Sequence, residues 1–230
     1  MEVEWLHEEA LLLRQALYRF CAAGLLYPEP ERFKTLKEGA GWLAASLDGP
    51  WPSGELRERL LSTCEWLQGL DEFPEHLQGE WINLFGVSRT TFCYPYEGAT
   101  VEPQWSTALQ AALQQEYAAA GLELSVDDLP DHVSVELEYM SYLSGLELSS
   151  LERDVDGLRP MVVDRQRAFL TDHLCRWLPG LTERVKAAEG GIFVDFCLMA
   201  ELLTTQEQDR LASFSIPEKD DDASAGGQEG

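Results

Sequence analysis

The 230-residue chain predicts an all-α fold, a single compact helical domain of about eight to ten helices. Three observations lead there. Apolar residues recur at three- and four-residue steps along almost the whole chain. Prolines and glycines punctuate these periodic segments at their ends. No alternating strand pattern of useful length appears, nor any internal repeat at solenoid periods.

Residues 5–26 place Leu6, Leu13, Leu17, Phe20, Cys21 and Gly24 on one face, and Pro28 and Pro30 stop that segment. Residues 30–47 form a shorter helix with Phe33, Leu36, Trp42, Leu43 and Leu47 as its apolar set, broken by Gly49-Pro50-Trp51-Pro52. Ser53 is placed to cap a helix to Leu70 with the stripe Leu56, Leu60, Cys64 and Leu67. Pro74 opens another helix, to about Phe85. Residues 86–103, GVSRTTFCYPYEGATVEP, have no helical period and form the longest irregular stretch; loops of this length in compact domains tend to be functional. Pro103 starts a helix that Gly121 ends. After an acidic connector, Pro130 starts a helix running to about Glu152. Residues 157–177 and 179–189 read as two helices separated at Pro179, and Gly190-Gly191 precede a last helix over 192–213. The expected organisation is a helical domain over 1–214 and a disordered acidic tail over 215–230.

The net charge is −24, and the tail carries only a small part of it. Such a field repels nucleic acid and anionic lipid and attracts a basic partner over short range. The five cysteines, Cys21, Cys64, Cys93, Cys175 and Cys197, form no CxxC pair and no disulfide or zinc pattern. The N-terminus lacks a basic n-region, and no apolar run approaches the roughly 18 residues that span a bilayer. The expected setting is a reducing cytoplasm, without stable membrane insertion.

Little in the chain points to catalysis. There is no glycine-rich phosphate loop. His7-Glu8 begins like a zinc-protease helix, but Leu11 stands where the second histidine belongs. Asp172-His173, midway along a helix, reads as a partly exposed face. Asp131-His132 is more pointed. It follows Pro130 at a helix start, where a carboxylate can cap free backbone N–H groups and meet the positive dipole end. Glu136 lies one turn on, where a carboxylate would raise the pKa of His132. Val133, Leu137, Met140 and Ser144 then run down one side as a core stripe, while Glu136 and Glu138 interrupt the apolar run, either solvated or facing a groove. The second pointed stretch is EWINLFGVSRTTFCYPYE, residues 80–97. Trp81, Leu84 and Phe85 end a helix at core spacing, and Tyr94, Pro95 and Tyr96 follow on a loop, a composition suited to a peptide-binding surface.

Together, WINLFGV…CYPYEG and LPDHVSVELEYMSYL resemble the TorD/DmsD family of redox-enzyme maturation chaperones. The matching residues are Trp81, Leu84, Phe85, Pro95, Tyr96, Asp131, His132, Leu137, Glu138, Tyr139 and Met140, in order, within a span of roughly 10–205. Tyr94-Pro95-Tyr96 departs from the Pro-Pro pair of many members. The resemblance implies a TorD-like helical fold and a cytoplasmic, non-enzymatic chaperone without a cofactor of its own. It also implies a partner: the twin-arginine leader and apo form of a molybdopterin-dependent oxidoreductase catalytic subunit, held back from export until its cofactor is inserted. By position, Trp81, Leu84, Phe85, Pro95, Tyr96, Asp131 and His132 correspond to residues implicated in leader binding. A nitrate-reductase-type branch of the broader superfamily binds its enzyme in another way. The acidic excess suits this partner, since guanidinium groups need carboxylates and an apolar stretch needs an apolar groove. Asp131, with Glu136 or Glu138, is expected to meet the arginines. Two alternatives stand beside this: an all-α enzyme or metal-binding protein using Asp131, His132 and Glu136, and an acidic adaptor for another basic protein. Both a monomer and a helix-exchanged dimer fit the chain.

Overall fold

In the computed structural model, residues 8–86, 93–101, 107–124, 129–153 and 157–214 are described. They form ten α-helices, α1 (Glu8–Leu25), α2 (Pro30–Ala45), α3 (Gly54–Gly69), α4 (His76–Phe85), α5 (Glu97–Val101), α6 (Thr107–Ala119), α7 (Val133–Arg153), α8 (Leu158–Phe169), α9 (Cys175–Ala187) and α10 (Ile192–Ser213). A π turn, Leu170–Leu174, joins α8 to α9. Among the described residues, the extended pairing consists of one isolated bridge between Tyr96 and His132. The fold is all-α, as the periodicity predicts. The acidic tail and His7 lie outside the described residues.

The central pair is α1 and α7. Ser134 Oγ donates to the Ala22 carbonyl and Ser141 Oγ to the Gln15 carbonyl, both at 2.9 Å, so the helices run antiparallel and close together. The small serines let the backbones approach while satisfying their own hydroxyls. Leu17 and Cys21 share one core cluster with Val133, Leu137 and Met140, all fully buried. The helix α10 packs against α1, α3 and α9, and α2 joins α1 to α3. Burial of these stripes, more than intrinsic propensity, carries the helices.

Four expectations about elements change. Glu97–Val101, inside the stretch 86–103 read as irregular, form the short helix α5. Trp42 is exposed, because the core face of α2 uses Phe33, Leu36, Ala40, Leu43 and Leu47 and Trp42 falls off that row. Ser53 stands at the start of α3 but makes no side-chain cap; its carbonyl accepts from Gln206 Nε2 at 3.0 Å instead. Pro179 does not separate two helices; it lies inside α9. A proline ring crowds the carbonyl four residues back, here that of Cys175, and the widened π turn immediately before Cys175 is the local adjustment.

Candidate functional site

The two pointed stretches, far apart in sequence, are joined directly. The Val133 N–H donates to the Pro95 carbonyl and the Glu97 N–H to the Asp131 carbonyl, both at 2.9 Å. The Tyr96 and His132 rings meet edge to face at 5.1 Å. A short two-rung ladder thus fixes Tyr94-Pro95-Tyr96 against the start of α7. Pro95 is buried, while Tyr94 and Tyr96 are half-buried.

Asp131 does not cap the helix that follows it. Its carboxylate is fully buried and accepts from the Gly98 N–H at 3.2 Å and from Gln110 Nε2 at 3.0 Å. It holds α5 and α6 to the α7 entrance. The cap of α7 is His132, whose Nδ1 accepts from the Ser134 N–H at 3.2 Å. That role requires a neutral ring, and burial pushes the His132 pKa down to about 4. The expected upward shift from Glu136 is therefore overturned: Glu136 points elsewhere. Its Oε2 accepts from Trp177 Nε1 at 3.0 Å in a fully buried setting.

Around Glu136 lies a group that sequence reading missed. Glu97, on α5, is also fully buried. Burial, then the neighbouring Glu97 carboxylate, hold the Glu136 pKa well above the usual carboxylate range, and only the Trp177 N–H pulls the other way. Glu97 Oε1 and Glu136 Oε1 are both buried without a hydrogen-bond partner. Glu97 Oε2 lies 2.8 Å from His173 Nδ1, within hydrogen-bond distance. Asp172 is exposed and His173 half-buried, the partly exposed face expected, but the π turn aims His173 at Glu97, and its ring packs on Phe169 at 4.8 Å. Behind the group, Tyr117 donates to the Pro130 carbonyl at 2.9 Å and stacks in a ladder with Tyr139 and Phe169. The one available signal was Glu97 itself, directly after Tyr-Pro-Tyr. Glu138 is exposed on the far side of α7.

Trp81, Leu84 and Phe85 form a second cluster on α4. Trp81 is half-buried; its Nε1 donates to the Leu25 carbonyl at 3.0 Å, and its ring meets Tyr27 edge-on at 5.4 Å. Leu84 and Phe85 are core residues, with Phe85 against Phe193 at 5.7 Å. Among the described residues, no group of three or more His, Cys, Asp or Glu side chains is arranged to hold a metal ion. Asp131, His132 and Glu136 are each committed to a different internal partner. No helix among the described residues is long and apolar enough to cross a membrane.

Comparison with known proteins agrees with this architecture. The chain is 30% identical over 118 residues to the chlorate reductase assembly chaperone protein of Ideonella dechloratans, covering 50% of this chain and 60% of that one. It is 26% identical over 191 residues to the perchlorate reductase assembly chaperone protein of Dechloromonas aromatica, covering 76% and 79% respectively. The match thus spans about three fifths of the first relative's length. A crystal structure from Archaeoglobus fulgidus, provisionally assigned as a redox enzyme maturation protein, shares the fold with a TM-score of 0.51 at 17% identity, over 87% of this chain and 97% of that one. The family model described as nitrate reductase delta subunit matches residues 51–183, more than half of the sequence and both pointed stretches. The kinship read from those motifs therefore holds, and the chain belongs to the nitrate reductase delta subunit family.

Proposed function

We propose that this protein is a cytoplasmic, non-catalytic assembly chaperone for the catalytic subunit of a molybdopterin-dependent oxidoreductase. It recognises that subunit through its twin-arginine leader before export. The observation that carries the reading is the two-rung ladder between Pro95-Glu97 and Asp131-Val133, which makes one rigid unit of the two stretches that matched the maturation chaperones. The surface roles divide accordingly. Tyr96 and Trp81, half-buried, and Glu138, exposed, are the side chains able to meet a leader. Pro95, Asp131, His132 and Glu136 hold that surface in place, and Leu84 and Phe85 support Trp81 from the core.

Calorimetric titration with a synthetic peptide bearing an arginine pair ahead of a leucine-rich stretch tests this. Tyr96→Ala and Trp81→Ala are each expected to weaken binding by about tenfold or more, as loss of an aromatic contact does. Unchanged affinity in both would remove these side chains from the contact surface. Failure of the unaltered protein to bind the peptide would remove the leader from the reading.

A further inference from the structure

The helix α5 continues the loop side of the ladder, and Tyr96 directly precedes it. A helix of five residues does not hold itself together, so α5 stands by its tethers. On one side they come from the α7 entrance. The Glu97 N–H donates to the Asp131 carbonyl at 2.9 Å, and the Gly98 N–H to the Asp131 carboxylate at 3.2 Å. On the other side they come from the π turn and α9. His173 Nδ1 lies 2.8 Å from Glu97 Oε2, and Arg184 Nη2 donates to Thr100 Oγ1 at 2.8 Å. Neither His173 nor Arg184 belongs to the two stretches that carry the family motifs.

Thr100 passes the contact on. Its hydroxyl donates to the Tyr96 carbonyl at 3.3 Å. A guanidinium only donates and a hydroxyl has one proton to give, so the order from Arg184 to Thr100 to Tyr96 is fixed. The ladder engages the Pro95 carbonyl and the Glu97 N–H, on either side of Tyr96. The relay takes the carbonyl of Tyr96 itself, so that backbone is held from α7 and from α9. Arg184 is half-buried, and burial pushes its pKa down. Among the described residues it forms no ion pair, although the chain has 41 acids against 17 cations. Its N–H groups, not charge pairing, therefore give it its place. Gly180 lies one turn before it, and a Cβ there would meet Arg184 Nη1 at 3.4 Å and Thr100 Cγ2 at 3.7 Å, so α9 passes close to α5 here.

We infer that Arg184 and His173 are positioning residues for the leader surface: through Thr100 and Glu97 they set the backbone of Tyr96 against the α7 entrance. This rests on the leader-binding reading above and adds residues from outside its two stretches. Neither side chain needs to touch the leader. Without them α5 hangs on the α7 entrance alone, and Tyr96 loses the tether on its own carbonyl. A contact surface held on one side only must be ordered when the leader binds, and that ordering subtracts from affinity.

The test is a double-mutant cycle by calorimetry, with the arginine-pair, leucine-rich peptide on the full chain. Arg184→Met is expected to weaken binding about fivefold, and Arg184→Lys, which keeps an N–H donor, to retain most of the affinity. In a Tyr96→Ala background Arg184→Met is expected to cost nothing further, because a residue that acts through Tyr96 has nothing left to position. Thr100→Val removes the relay hydroxyl at nearly constant volume and should repeat this pattern, which keeps the cycle available if Arg184→Met does not fold. His173→Asn keeps a hydrogen-bonding group for Glu97 and should bind as the unaltered protein does, while His173→Leu should bind several-fold more weakly. Additive losses in the cycle, or full affinity in Arg184→Met and His173→Leu alike, overturn the positioning role and leave the leader reading standing. No binding by the unaltered protein overturns both.

Discussion

Glu136 and Glu147 occupy the same helix, about three turns apart and on the same face, and both are fully buried. Their surroundings differ completely. Glu147 accepts from Arg210 Nη1 and Nη2, both at 3.0 Å, and from Gln166 Nε2 at 2.9 Å. Arg210 Nε also pairs with Glu207 at 3.0 Å, and Glu207 pairs with Arg14 at 2.6 Å. Burial opposes ionisation of Glu147, yet Arg210 and its hydrogen bonds hold the pKa below the usual range. Glu136 has a second carboxyl group and an indole instead of a guanidinium, and its pKa goes up. One residue type at one depth has its pKa lowered in one place and raised in the other. The partner decides, not the burial. The Glu147 region is an ion-paired brace tying α1, α7, α8 and α10, with Arg159 also on Glu147 at 3.4 Å. The Glu136 region is a carboxyl-rich hub that holds α5 and the π turn to the helix entrance.

The largest effect that could break this comparison is at Arg210. Arg210→Met leaves Glu147 and Glu207 without their shared guanidinium, and breaking a buried pair from one side costs about 3–5 kcal/mol. Urea denaturation should show that loss at pH 7; a loss within 1 kcal/mol would mean the brace is not carrying charge as described.

The two glutamates themselves give opposite pH signatures. Glu147 has a lowered folded pKa, so its contribution is present above the unfolded value and fades as pH falls. Glu147→Gln is expected to cost about 2 kcal/mol at neutral pH, in the range for hydrogen bonds to charged groups. Glu136 has a raised folded pKa, so the folded state binds its proton more tightly and stability declines as pH climbs above 4.5. Glu136→Gln keeps an acceptor for Trp177 and is expected to flatten that decline, gaining on the unaltered protein with rising pH. Parallel pH profiles of unfolding for the two variants would erase the distinction.

The smallest effect is at His132. Its folded pKa of about 4 lies below the usual imidazole value of 6.5, so the unfolded state takes up the proton first and stability falls as pH drops from 6.5 towards 4. His132→Asn keeps a capping acceptor for the Ser134 N–H and removes the titration. Its acid limb over that window should be shallower. An unchanged limb would place the acid sensitivity elsewhere.

Much of the architecture was legible because it depends on local pattern. The stripes Leu56-Leu60-Cys64-Leu67 and Val133-Leu137-Met140-Ser144 are all buried, as a 3.6-residue period requires. Trp42 was misread because an aromatic residue beside a core row looks like part of it. Pro179 was misread because a π turn absorbs what a regular helix cannot. At the site, the residues of the two stretches were legible as types and spacing, but their duties were not. Asp131 serves α5 and α6, and His132 caps α7, because chain segments 33 and 2 residues away supply the N–H groups. Glu97 gave no periodic signal, because its helix α5 is only five residues long.

By itself, the sequence determined the helical class, the order of the elements, the acidic field and the two motifs that mark the family. These follow from periodicity, composition and short spacings, which a linear reading contains. Only the tertiary structure decided which buried carboxylate meets a guanidinium and which meets a second carboxyl group. That depends on a partner brought from a distant part of the chain, as Arg210 is to Glu147 across 63 residues. Desolvation then makes the identity of that partner worth more than any local preference.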